Sequence, residues 1–219
     1  MRPRAWRAAS ASVWGWLPVA DAEALDDLVR HTAFALLVRD GHPVPEERLA
    51  ATLPTHLNRS AVRQAVDRLA GSGHLDRDPS GAVVGAGGLT LGDAPHRLLL
   101  HGRDYRTWCA YDAIGIPAAL GADGAISTRC GVCGRAITIR LPAATTEERP
   151  ERLWLAAGGT DLRVEFCTPT VLLCSPDHAD AWATRQGGRG RVLDLGQAWR
   201  LGAGAWAAYA REVGRLGAA

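Results

Sequence analysis

The sequence predicts an α+β fold: a small three-helix, winged-helix-like segment, then a strand-rich α/β segment with antiparallel hairpins and flanking helices. Three observations carry that expectation. Apolar residues recur at helical spacing in three successive stretches before residue 72. The turn signal Asp78-Pro79-Ser80-Gly81 then separates two short strand-like pieces. Beyond residue 93 alternating apolar and polar runs take over, broken by glycine-rich turns. The division this implies is an N-terminal arm over 1–20, a winged-helix-like domain over 21–92 and a thiol-containing domain over 93–219.

Taken in order, "AEALDDLVRHTAFALLVR" (22–39) reads as an amphipathic helix stopped by "DGHP". "PEERLAATL" opens with proline and two glutamates, which suit a helix start. "NRSAVRQAVDRLAGSG" is a third helix, capped by Asn58 or Ser60 and stopped by Gly71 or Gly73. "HRLLLHG" reads as a strand leading into the helix that carries "TWCAYD", and Pro117 is expected to kink or end that helix. "GAISTRCGVCGRAITIRL" reads as a hairpin with Cys130 and Cys133 near its tip, and "RLWLAA" and "LRVEFCTPTVLLC" as further strands. "PDHADAWATRQ" is a short helix, and "DLGQAWRLGAGAWAAYAREVGRL" reads as one closing helix.

With 47% hydrophobic and 22% charged residues, the 219-residue chain has the composition of a globular protein. All 25 basic residues are arginine, and the net charge of +2 argues against nucleic acid or an anionic membrane as the partner. No stretch approaches the roughly 18 apolar residues that cross a bilayer. The basic start and the charge-free segment 8–20 lack the compact apolar run of an export signal and read as an arm, with Trp14 and Trp16 docking on the body. Five cysteines form an odd set without small-scaffold spacing, which points to free thiols in a reducing cytoplasm.

Two of those thiols invite a chemical reading. Cys109 and Asp112 stand three positions apart, which places two side chains on one helix face. Taken alone, Cys109 reads as a compact core residue and Asp112 as a solvated or arginine-paired one. Cys167 is expected at a strand end, where sites are commonly built. Cys130 and Cys133 form a single C-x-x-C, which fits half a zinc knuckle, a redox pair or coincidence; Cys167 with Cys174 or His178 would have to complete a zinc site.

The whole arrangement is more specific than its parts. "WCAYDAIGIPAALG", "STRCGVCGRAITI" and "VEFCTPTVLLCSPDHADAWATRQ" together resemble the organomercurial lyase (alkylmercury lyase) family from about Arg97 to the C-terminus. The resemblance implies that Cys109 and Cys167 are the mercury-binding thiols, Asp112 the proton-transferring carboxyl group and Cys130 a structural cysteine. It also implies cleavage of carbon–mercury bonds without organic cofactor, turnover assisted by small cytosolic thiols, and handover of product to a mercuric reductase. Thr168 stands where some members carry a second consecutive cysteine, and Cys133 and Cys174 look like additions. They leave open a rival metal site or a later resting place for mercury.

The residue types suit that reaction. Thiolate is the soft ligand a soft organomercury cation needs, and a carboxyl group shifted upward by burial can both take a thiol proton and return one to carbon. Two rival readings remain: a metal-responsive winged-helix DNA-binding regulator, and a mercury- or zinc-binding relative without turnover. Arg59, Arg63 and Arg68 on the third helix favour the regulator. Against it, residues 21–100 carry eight arginines and eleven acidic residues, a net of −3, where DNA readers are usually basic. The N-terminal domain is accordingly expected to wall off the thiol site.

Overall fold

A computed structural model describes residues 19–217, with side chains from residue 22 onward; Trp14 and Trp16 lie outside the described residues. The three expected helices are present as α1 (Val19–Asp40), α2 (Glu46–Thr52) and α3 (Arg59–Gly71). Asn58 caps α3 by accepting the Ser60 amide at 2.8 Å. α1 is buried all round over residues 32–38 and packs on α3, and Val29, Phe34 and Leu37 share one buried core with Val62, Val66 and Leu69 on the apolar face of α3.

The strands are β1 (Leu75–Arg77), β2 (Val83–Ala86), β3 (Leu89–Thr90), β4 (His96–Leu100), β5 (Arg103–Thr107), β6 (Gly124–Arg129), β7 (Ala136–Leu141), β8 (Arg152–Ala156), β9 (Val171–Leu173) and β10 (Gly190–Leu193). The first seven form one sheet in the order β1-β2-β3-β5-β4-β6-β7, and the last three a second in the order β10-β8-β9. Every pairing is antiparallel. The larger sheet runs straight across residue 92, because β3 pairs with β5 through Leu89↔Thr107 and Thr90↔Arg106. The wing of the N-terminal segment is thus the edge of the sheet that carries the thiol-containing segment.

The remaining helices are α4 (Ala110–Leu120), α5 (Pro176–Arg185), α6 (Leu195–Ala205) and α7 (Ala207–Gly217). Residues 110–117 of α4 are all buried, as its near-continuous apolar sequence requires of a helix covered on all sides. It lies on α6 and touches strands of both sheets. Gly115 and Gly202 make the α4–α6 contact possible, since a Cβ on either would run into the facing segment: Trp206 from Gly115, the Gly115 Cα from Gly202.

Four local expectations are corrected. "HRLLLHG" does not lead straight into the helix; it turns at His101-Gly102 and returns as β5, pairing Arg97↔Arg106 and Leu98↔Tyr105. Pro117 does not end α4, which runs on to Leu120 and stops where Gly121 takes φ +59° and Ala122 N donates to Pro117 O at 3.0 Å. The closing helix is two helices, broken at Trp206, whose Nε1 donates to Gly87 O at 2.7 Å. "LRVEFC" is a π-helical turn over Leu162–Cys167 instead of a strand. Its alternation is overridden by Asp161, which accepts the amides of Arg163 and Val164 at 2.9 Å each and starts a helix.

Gly202→Ala should therefore cost about 1–3 kcal/mol, the usual penalty for forcing a methyl into a filled contact. Gly204→Ala, two positions along α6 with open space around its Cβ position, should be neutral or stabilising. Thermal denaturation of the two variants side by side checks this.

Candidate active site

The site begins where the sheet hands over to α4. Trp108 N donates to Gly88 O at 2.9 Å, so the strand direction is kept until Cys109, which has extended backbone (φ −141°, ψ 171°) and occupies the N-cap of α4. Asp112 is the third residue of the helix, and its Oδ2 accepts the Cys109 amide at 2.7 Å. The three-residue spacing thus belongs to a helix start, with the carboxylate reaching back to a free backbone donor, rather than to one exposed helix face. Ala110 N donates to Thr170 O at 3.2 Å, tying this helix start to the segment that holds Cys167.

Cys167 closes the π-helical turn. Thr168 N reaches Arg163 O at 2.9 Å, the long i→i+5 bond of such a turn, and Thr168 Oγ1 donates to the same oxygen at 2.8 Å. Thr170 N then donates to Cys167 O at 3.2 Å as the chain enters β9. The result is that Cys109 Sγ, Cys167 Sγ and an Asp112 carboxylate oxygen lie within 4.8 Å of one another. Their residues are 0%, 5% and 4% exposed, so the cluster is nearly dry.

Dryness sets the electrostatics. Burial raises the Asp112 pKa to about 7, against the downward pull of the Cys109 amide and thiol and of Arg163. Burial also pushes the Cys109 thiol well up, and the adjacent Cys167 thiol and Asp112 carboxylate push it further. An acid poised near neutrality beside two thiols can take a proton from sulfur and pass it elsewhere.

The N-terminal segment supplies the other wall. Asp76 on β1 accepts Trp108 Nε1 at 2.7 Å and Arg163 Nη2 at 2.6 Å, while the Arg163 guanidinium stacks 3.3 Å from the Trp108 ring centroid. Gly88 (φ +93°) lies so close to the site that a Cβ there would fall 2.5 Å from Asp112 Cγ. A cavity of about 330 Å³ opens above Asp112 and Cys167, walled mainly by Trp108, Tyr111, Leu162, Phe166, Trp206 and Tyr209. Local sequence patterns do not mark Asp76, Arg163 or Trp206 as neighbours of the site; the Gly87-Gly88 pair is a local hint of a close approach.

A second cluster stands apart. Cys130, Cys133, Cys174 and His178 also bring their ligand atoms within 4.8 Å of one another. Cys174 and His178 thus do join the C-x-x-C, whereas Cys167 belongs with Cys109. Cys130 is buried where β6 ends; burial pushes its thiol up, but the amides of Cys133, Val132 and Cys174 outweigh that and bring it down to about 6. Of the three arginines offered for DNA reading, Arg63 is paired with Glu46 at 2.8 Å and Arg68 with Asp26 at 2.6 Å.

The alkylmercury lyase family model matches residues 89–207, a span that includes Cys109, Asp112 and Cys167. An alkylmercury lyase of Pseudomonas putida is 32% identical over 165 residues, covering 72% of this chain and 75% of its own. One of Streptomyces lividans is 26% identical over 200 residues, covering 89% and 83%. A crystal structure described as the mercury-bound form of MerB2 shares the fold with a TM-score of 0.70 at 22% identity, over 87% of this chain and 99% of that one. A mixed fold with paired thiols and a buried carboxyl group, matched in this way, defines an enzyme of the lyase class. The chain belongs to the alkylmercury lyase family.

The raised Asp112 pKa has a sign that can be measured. Between its ordinary value of 3.8 and about 7 the folded protein holds a proton that the unfolded chain has lost, so this group's contribution to stability falls as pH rises through that window. Asp112→Asn removes the contribution. Its melting temperature relative to wild type should climb from pH 4 to pH 8, by an amount equivalent to roughly 3 kcal/mol; parallel curves would place the carboxyl group in a wetter setting.

Proposed function

We propose that this enzyme cleaves the carbon–mercury bond of alkyl- and arylmercury compounds by protonolysis, giving a hydrocarbon and Hg(II). The observation that carries the reading is the convergence of two buried thiols and one carboxyl group within 4.8 Å at the wall of a mostly apolar cavity, which Arg30 and His74 also line. Cys167 lines that cavity whereas Cys109 is fully buried, so Cys167 meets the substrate first. It displaces the thiol that carried the organomercury cation, and its own proton leaves with that thiol. Cys109 then gives its proton to the Asp112 carboxylate and adds as the second sulfur ligand. Two thiolates make the metal electron-rich and its bond to carbon weaker. Protonated Asp112 delivers its proton to the carbon, the hydrocarbon departs with the former carbon–mercury electron pair in its new C–H bond, and Asp112 is again a carboxylate.

The surroundings suit each step. The apolar walls accept an alkyl or aryl group and keep water from the acid. The Cys109 amide holds one carboxylate oxygen at 2.7 Å, and a carboxylate oxygen lies within 4.8 Å of both sulfur atoms. The mercury is substrate and product; our reading needs no organic cofactor. External small thiols bring the substrate and strip Hg(II) from the two cysteines, which fits a reducing cytoplasm, and a mercuric reductase is a fitting acceptor. No described helix is long and apolar enough to cross a membrane.

Cys109→Ser or Cys167→Ser replaces a soft ligand by a hard one of similar shape and should abolish release of benzene from phenylmercury in the presence of excess thiol. Asp112→Asn should still bind the organomercurial, seen as a mass adduct, while hydrocarbon release drops by at least the ~10²–10⁴-fold typical of a lost general acid. Near wild-type release from any of the three variants would overturn the mechanism. Tight binding with no turnover in the wild type would instead support a binding relative.

A further inference from the structure

Cys130, Cys133, Cys174 and His178 lie outside the thiol–carboxyl site, and the proposed reaction uses none of them. From their placement we infer that they form a structural zinc site clamping the β6–β7 hairpin to the junction of β9 and α5. The spacing is two ligand pairs from two separate segments, C-x-x-C and C-x-x-x-H, the second pair at the turn into a helix.

Three of the six ligand–ligand distances are close to the edges of a tetrahedron, and all lie within 4.8 Å. Cys133 Sγ lies 3.7 Å from Cys174 Sγ, and His178 Nδ1 lies 3.4 Å from Cys130 Sγ and 3.1 Å from Cys174 Sγ. Zinc bonds to sulfur and imidazole nitrogen imply tetrahedral edges of about 3.8 Å between sulfurs and about 3.5 Å between sulfur and nitrogen. A sulfur pair at 3.7 Å is not a disulfide, and all five cysteines are free.

The backbone is built to match. Backbone amides of Val132, Cys133 and Cys174 point at Cys130 sulfur, the hydrogen bonds that orient a ligating thiolate. Gly134 takes φ +71° and donates to Cys130 O at 3.0 Å, which folds the C-x-x-C-G turn so that both sulfurs face inward. The two halves are already held in register, with Gly131 N on Leu172 O at 3.1 Å and Arg135 Nη2 on Cys174 O at 3.2 Å. Three thiolates and one imidazole select zinc over oxygen-seeking divalent cations, and four protein ligands leave no open position, as a structural site requires. The clamp joins the larger sheet to the smaller one only seven residues beyond Cys167, and so braces the segment that presents that thiol.

The test uses the full-length protein, purified without added metal under reducing conditions. Elemental analysis should find one zinc per chain. That stoichiometry should persist in Cys109→Ser and fall at least tenfold in Cys133→Ser and in His178→Ala, with a melting temperature lower by roughly 5 °C or more. Should those variants fail to fold, cobalt(II) exchanged into the wild type gives an independent reading: intense visible bands of a tetrahedral ion together with thiolate charge transfer. Less than a tenth of a zinc per chain with no such cobalt spectrum would overturn the proposal. So would zinc that stays in Cys133→Ser but leaves with Cys109→Ser, or a Cys133–Cys174 disulfide found by mass spectrometry. Because metal content and melting are read without turnover, failure here leaves the proposed reaction untouched.

Discussion

The hydrogen bond from the Cys109 amide to Asp112 is made with almost no water around it, and much of the molecule is arranged to keep it so. A carboxylate at that depth is costly, and its capping bond offsets part of the cost by satisfying an amide that the helix itself leaves free. α4 must be buried on every side to reach this depth, which requires the glycine contact with α6 and the placement of Trp206 between α6 and α7. The same helix start positions one thiol and the carboxyl group together, so a single local motif sets two of the three clustered groups.

The N-terminal segment is part of this construction. Its wing enters the larger sheet, and from there Asp76 grips both Trp108, the neighbour of Cys109, and Arg163, four residues before Cys167. Gly88 presses backbone against Asp112 where any side chain would collide. One face of the site is thereby fixed by residues before 93 and the other by residues after it. That explains why a winged-helix-like pattern with a negative balance can serve an enzyme: two of its third-helix arginines are spent on Asp26 and Glu46, and its hairpin carries Asp76 into the site.

Much of this was legible in the residues. The three helices, the Asp78–Gly81 turn, the Cys130–Cys133 hairpin and the helix after Ser175 follow from periodicity and punctuation, signals that are local. Cys109, Asp112 and Cys167 could be named as candidates, and their meeting in space is long-range. What stayed hidden has physical causes. β5 has three charged residues in five, "RDYRT", and is strand because β3 and β4 flank it. Trp206 breaks a helix that its own sequence would continue, because its indole finds Gly87 O. The pairing of Cys174 and His178 with the C-x-x-C depends on how two segments 41 residues apart are docked, which spacing alone does not reveal.

The π-helical turn has a consequence for which changes the protein can tolerate. Arg163, Leu162, Phe166 and Cys167 have tasks of their own, whereas Val164 is 64% exposed, and the shape of the turn is held by the Asp161 cap and backbone bonds. Each helical residue, however, turns the chain by about 100°. Losing one residue between Asp161 and Cys167 would tighten the turn to an ordinary helix and swing the thiol away from Cys109. Selection on this stretch should act on its length as well as on Arg163 and Cys167, so an exposed position such as Val164 can absorb substitution where a single deletion cannot be absorbed.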